Sequence, residues 1–97
     1  MLIDHQQLTG STSSGSLAKN TAYIRGLVRE VIVKPATETT IYDVKITNPL
    51  SANIYERTSE TGSLAEINSI PVNGIYTVTI SNATKDEAFT IQLITQE

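Results

Sequence analysis

Ile75-Tyr76-Thr77-Val78-Thr79-Ile80-Ser81-Asn82 repeats in pattern the earlier Ile41-Tyr42-Asp43-Val44-Lys45-Ile46-Thr47-Asn48. Side chains on a strand alternate between its two faces. Tyr76, Val78 and Ile80 are therefore expected on one face and Thr77, Thr79 and Ser81 on the other. In the earlier copy Tyr42, Val44 and Ile46 oppose Asp43, Lys45 and Thr47. Strict alternation of this kind marks half-buried strands. Each Asn opens a turn-like stretch, followed by Ile54-Tyr55 in one copy and Ala88-Phe89 in the other. The reading is two hairpins of an antiparallel β domain. The match lies at inward positions and at the turn Asn, so shared turn demands explain it better than duplication. Repeat architectures also need at least three units.

Working outward, residues 88–95 place Phe89, Ile91 and Leu93 on one face and Thr90 and Gln92 on the other. Pro71-Val72-Asn73-Gly74 precedes the second copy, and Asn-Gly is a strong hairpin signal. Residues 63–70 carry Leu64, Ile67 and Ile70, whose spacing changes parity, so a short strand with an irregular exit is expected. Residues 53–58 form another short strand, closed by the turn Ser59-Glu60-Thr61-Gly62. From Ala22 to Lys34 the β-branched cluster Val31-Ile32-Val33 and Gly26 oppose a helix. A long strand bulged at Gly26 and ended by Pro35 is expected instead. About six to seven strands result. The fold class is all-β, a small antiparallel β-sandwich of Ig-like or jelly-roll-like type. Thr, Ile and Val make up 32 of the 97 residues, a share that fits pleated, packed surfaces.

Two units are read along the chain. Residues 21–97 form the sandwich. Residues 1–20 form a flexible arm, because Thr9-Gly10-Ser11-Thr12-Ser13-Ser14-Gly15-Ser16 has no apolar periodicity. Ordering such an arm costs roughly 1–2 kcal/mol per residue. Leu2, Ile3, Leu8 and Leu17 are its apolar residues, and they are expected to anchor it on a neighbouring subunit. A second candidate surface is polar: Thr77 and Thr79 with Thr90 and Gln92 beside them form a flat outward face suited to a wet interface. Exposure of Ile41, Ile75 or Ile94 would strengthen the case for an interface.

The chemistry-bearing residues are few. The chain has no Cys, so disulfides and thiolate sites are excluded. Its single histidine, His5, lies in the arm, where nothing holds it for general base work. Asp86-Glu87 sits in a polar turn beside Lys85 and reads as solvated. No phosphate-binding glycine loop, calcium loop or nucleophile elbow occurs. No catalytic, cofactor or metal residue is assigned, and no enzyme is expected. The net charge of −3 and the lack of a basic run argue against a nucleic-acid partner. Arg25 and Arg29 can share one strand face as solvated charges. No run of 18 apolar residues exists, so no membrane helix is expected. The start lacks the pattern of a signal peptide, which points to synthesis in the cytoplasm.

Leu27-Val-Arg-Glu-Val-Ile-Val-Lys-Pro35, Tyr42-Asp-Val-Lys-Ile-Thr47, Pro71-Val-Asn-Gly-Ile-Tyr-Thr-Val78 and the Asn82 turn resemble, in cadence, small β-sandwich structural proteins of tailed bacteriophages. Head decoration (cement) proteins are the type. The resemblance implies a non-enzymatic virion protein without cofactor. It would dock on the major capsid protein or other virion proteins, as a homo-oligomer with a trimer favoured. A tail, baseplate or connector component has the same requirements. The cadence also resembles sandwich modules appended to secreted enzymes. A glycan-binding module of that kind would need an exposed aromatic pair, for which Tyr23 and Tyr55 are the spare candidates.

Overall fold

The computed structural model describes residues 2–97. Eight strands follow in chain order: β1 (Ile3–Ser11), β2 (Leu17–Asn20), β3 (Ile24–Pro35), β4 (Ile41–Thr47), β5 (Asn53–Thr61), β6 (Leu64–Gly74), β7 (Thr77–Ser81) and β8 (Ala88–Gln96). They form two four-stranded sheets, β1-β8-β3-β6 and β2-β7-β4-β5, with every neighbouring pair antiparallel. This order is a jelly roll: an eight-stranded double sheet woven from two Greek keys. The expected all-β sandwich is present, with eight strands.

Only β4 and β5 are consecutive strands that pair with each other. Every other connection crosses from one sheet to the other. The two copies of the sequence pattern therefore have different fates. Residues 41–55 make a true hairpin. Its Asn48 side chain accepts from Leu50 N–H at 3.0 Å and Ala52 N–H at 2.9 Å. Residues 75–89 instead form an arch, with β7 in one sheet and β8 in the other. Asn73-Gly74 likewise ends β6 before a crossing, not a hairpin. Turn chemistry fixes where the chain reverses, but not whether the next strand pairs in the same sheet.

The core lies between the sheets. Val28, Val31, Val33, Phe89, Ile91 and Leu93 from one sheet meet Tyr42, Val44, Ile46, Val78 and Ile80 from the other, all fully buried. The inward positions expected from alternation in β4, β7 and β8 are among these, and Tyr76, also expected inward, is buried; alternation assigns no face to the β3 valines. Tyr42 and Phe89 meet edge to face across the layers, with ring centroids 5.2 Å apart. The Tyr42 hydroxyl donates to the Gly62 carbonyl at 2.7 Å. Burial, with the Glu60 and Glu38 charges behind it, pushes this phenol up to about 12.

In β3, Gly26 has φ +102°, and a Cβ there would collide with the Gln96 carbonyl. The register shift itself falls between Val28 and Glu30, against both neighbours. The expected bulge is thus displaced toward Arg29. β6 alternates without a break over its eleven residues, so the expected irregular exit is absent: Ile67 turns outward while Leu64 and Ile70 face inward and are half-buried.

Residues 3–20 are not a free arm. β1 pairs with β8 over nine residues without a register shift, and β2 pairs with β7. The Ser-Gly run contains a built turn. Ser13 and Ser16 exchange backbone hydrogen bonds at 2.9 and 3.1 Å, and Ser14 and Gly15 both have positive φ, as a type I′ turn requires. The Asp86 carboxylate accepts from Ser14 N–H at 3.1 Å and Gly15 N–H at 2.8 Å. A run without periodicity is here held by a carboxylate more than seventy residues away. Leu8 and Leu17, expected to grip a neighbour, pack against this chain's own core.

Other carboxylates fasten loops in the same way. Ser63 O–H and N–H donate to Glu38 at 2.6 and 2.8 Å, which holds Glu38 below the usual carboxylate range. Ser59 N–H and Asn82 do the same for Asp43 at 2.8 and 2.7 Å. For Glu87, burial acts upward, but Thr37 N–H at 2.6 Å and the Thr40 hydroxyl at 3.0 Å outweigh it and lower the group.

Removing residues 1–16 should strip the edge from one sheet and sharply lower the thermal midpoint, because Leu8 leaves the core with β1; an unchanged midpoint would contradict this pairing. Ile80→Ala should cost about 2–5 kcal/mol in denaturant unfolding. Acid should weaken the fold. The lowered carboxylates bind fewer protons folded than unfolded, so their stabilisation is complete above the unfolded value of about 4 and fades as pH falls through the folded values. Thermal midpoints should be flat between about pH 5 and 7 and drop below about pH 4.

Candidate functional interface

The two sheets differ on the faces they turn to solvent. Cross-strand partners share a face, so the register gives the outer rows directly. On β1-β8-β3-β6 one row runs Ile3, Gln96, Leu27, Pro71. The next runs His5, Ile94, Glu30, Ile67, and a third Gln7, Gln92, Ile32, Ala65. Leu27, Ile32 and Ile94 are half-buried by their neighbours. Ile3 and Ile67 stand out at 59% and 80% exposure. Apolar side chains from all four strands thus share one solvent face.

Polar and charged groups surround them. Arg25 pairs with Glu97 at 2.5 Å, and Arg29 donates to the Ser69 hydroxyl at 3.0 Å. Gln92 Nε2 lies 3.2 Å from His5 Nδ1. Arg25 and Arg29 do share this face, as strand spacing implied. Gln96, Glu30 and Gln92 stand among the apolar side chains in these rows, so the face is a mixed apolar and polar surface of the kind that binds proteins.

The opposite sheet face is different in kind. Its rows are Asn20, Thr77, Thr47, Asn53 and Ala18, Thr79, Lys45, Glu56. Thr77 donates to the Asn20 side-chain oxygen at 2.8 Å, and Lys45 stands opposite Glu56. This is a self-satisfied polar surface.

The expected polar strand face is therefore split. Thr77 and Thr79 lie outward on β7, as alternation predicts, but Thr90 and Gln92 lie outward on β8 in the other sheet. They look in opposite directions because the Asn82–Glu87 segment crosses between the layers. Leu2 and Ile3 are exposed at the start of β1. Leu27, Ile32, Ala65, Ile67 and Pro71 were not singled out by sequence. The signal that could have found them is apolar residues at polar positions of an alternating strand, as Ile94 is in β8. Ile75 is exposed in the β6–β7 crossing, and Ile41 is exposed on the outward side of β4, at the end of the polar sheet face.

At the side of the sandwich where β5 and β6 approach, Arg57 closes the gap. Its Nε donates to Glu66 Oε2 at 3.0 Å, and Nη2 lies 2.6 Å from Oε1. The guanidinium also stacks 4.9 Å from the Tyr55 ring centre. Burial acts to raise Glu66, but the Arg57 guanidinium outweighs it and holds the carboxylate below its usual range. Burial, reinforced by Glu66, pushes the Tyr55 phenol well up. Tyr55 is buried, so it cannot form an exposed sugar platform with Tyr23.

A cleft of about 210 Å³ opens between Leu2, Asp4, Tyr23, Ile24, Arg25, Thr95 and Glu97, at the end of β1. Among the described residues no group of three His, Asp or Glu could hold a metal ion.

No family model matches the chain, and no curated protein matches it. Solved structures share its fold. The periplasmic g-type lysozyme inhibitor PliG of Aeromonas hydrophila superposes with a TM-score of 0.59 at 14% identity, over 93% of this chain and 85% of that one. The Yersinia pseudotuberculosis-derived mitogen gives 0.58 at 8% identity, over 99% and 89%. The VP2 subviral particle of infectious bursal disease virus gives 0.44 at 10% identity, over 98% of this chain and 33% of that one, too low to carry an argument. At such identities the likeness is one of fold alone.

Proposed function

We propose that this chain is a non-enzymatic structural protein of a virion, docking through the outer face of the β1-β8-β3-β6 sheet onto the coat lattice. The observation that carries the docking is the contrast between the two sheet faces. One carries Ile3, Leu27, Ile32, Ile67 and Ile94 among polar residues, while the other is mainly Thr, Asn and charged groups with Ile41 at its end. A sheet that only had to stay soluble would carry polar residues at those outward positions. Arg25, Arg29, Lys34 and Glu97 around these residues and Glu30 among them carry both signs of charge, which suits a polar protein surface better than a nucleic-acid backbone.

The virion setting draws on the resemblance to phage head proteins and on the jelly roll, an architecture shared by viral capsid and lectin domains. A rigid sandwich with one adhesive face can decorate every coat subunit or occupy a tail or connector position, and copy number separates the two. The major capsid protein is the partner proposed.

Quantitative mass spectrometry of purified particles tests the setting: a copy number comparable to the coat subunit supports decoration, a small fixed number places the chain in the tail or connector, and absence overturns the virion reading. Ile67→Asp should weaken docking at least about tenfold without moving the thermal midpoint, whereas Asn53→Lys on the polar sheet should leave docking unchanged. The reverse pattern would assign the contact to the other face.

A further inference from the structure

A sheet edge is a row of unpaired backbone donors and acceptors, and folded proteins blunt such edges. Three of the four edges here are blunted. β6 carries Pro71 and the register shift opposite Arg29. β5 has two register shifts against β4. β2 is only four residues long and contains Lys19. β1 is the least protected: nine residues, no Pro, no Lys, an unbroken register and a single charged carboxylate, Asp4, near its start.

The direction of its free groups follows from its ends. Leu2 C=O accepts from Glu97 N–H at 2.9 Å, and Thr12 N–H donates to Glu87 C=O at 3.0 Å. Even-numbered residues of β1 thus bond to β8. The odd ones, Ile3, His5, Gln7, Thr9 and Ser11, turn their N–H and C=O groups outward. His5 N–H is met by Asp4 Oδ1 at 2.9 Å, an exposed bond that water or another strand can replace.

We propose that β1 pairs antiparallel with β1 of a second copy, about a two-fold axis through Gln7, joining two four-stranded sheets into one of eight strands. Gln7 is the middle residue of the strand, so this register overlaps it along its full length. It also keeps inner and outer faces continuous, because paired residues share parity. About ten new backbone hydrogen bonds form between the outward-turned odd residues.

Charge favours a second copy as the occupant. In this register Asp4 of one copy stands opposite Gly10 of the other. The Lys19 side chain covers Gly10, with its Cε 2.8 Å from where a Cβ would lie. Lys19 has no carboxylate within 4.0 Å among the described residues. Leu17 and Lys19 fill the space beside Gly10, and the glycine brings the Lys19 side chain close against the strand, where it meets the incoming Asp4. The pairing occurs twice across the axis. A head-to-tail ring, such as the trimer implied by the resemblance, would need a second free edge, and the other edges are blunted.

The inference stands apart from lattice docking, since it uses the edge and not the outer face. The test is sedimentation velocity of the full chain at concentrations up to about 100 μM, with thermal unfolding in parallel. The wild type should be dimeric. Gln7→Pro removes an outward N–H that the monomer does not use, so it should fold and weaken dimerisation at least about tenfold. Asp4→Lys should weaken the dimer, and Asp4→Lys combined with Lys19→Asp should restore it; this pair decides the matter if Gln7→Pro unfolds. A monomeric or trimeric wild type, a Gln7→Pro dimer of unchanged affinity, or failure of the double charge swap to restore pairing would each overturn the proposal.

Discussion

Everything in this molecule depends on the burial of β3 and β8 against β4 and β7. Those four strands are the centres of their sheets and supply all of the fully buried aliphatic side chains. Each large one is worth roughly 1.5–3 kcal/mol in removal from water. The layers are joined by arches, not hairpins, so neither sheet can form ahead of the other. Apart from β4–β5, every strand pairing closes a long loop before it is rewarded. Such topologies are at the slow end of folding.

The same constraint explains the division of labour among polar residues. With one local hairpin, the crossings must be held by specific hydrogen bonds, and these gather at the end of the sandwich where β1 and β3 finish and β6 and β8 begin. Asp86, Glu87 and Glu38 do this by accepting from backbone N–H groups of loops distant in sequence, and Asp43 by accepting from the Asn82 side chain. Most of these carboxylates serve loop geometry. Arg57 and Glu66 serve a related purpose at the side of the sandwich, where a paired charge and a stacked Tyr55 fill a gap that no strand covers.

Once the inner faces are committed, outward positions are free to differ, and they do. One sheet face is mainly polar, with Ile41 at its end. The other exposes apolar side chains from four strands, and its β1 edge is left unblunted. A chain of this size gains no fold stability from Ile67 at 80% exposure. Such a residue is accounted for by a partner surface more readily than by the monomer.

Alternation in residues 41–47, 75–81 and 88–95 was enough to assign β4, β7 and β8 and their inward residues, because a period of two is a local property of the pleat. The sandwich class followed from strand spacing, and β1 and β2 escaped because the Ser-Gly run has no period to read. Its order comes from Asp86 and from β8, which are far away in sequence. The pairing of strands could not be read either. Asn48 and Asn82 offer the same turn chemistry, yet one closes a hairpin and the other an arch. Sheet choice is decided by which inner face has apolar area left to cover, a property of the assembled layers. For that reason Thr77 and Thr90 share a sequence pattern but face opposite ways. The outer apolar face, drawn from β1, β3, β6 and β8, exists only in the tertiary structure.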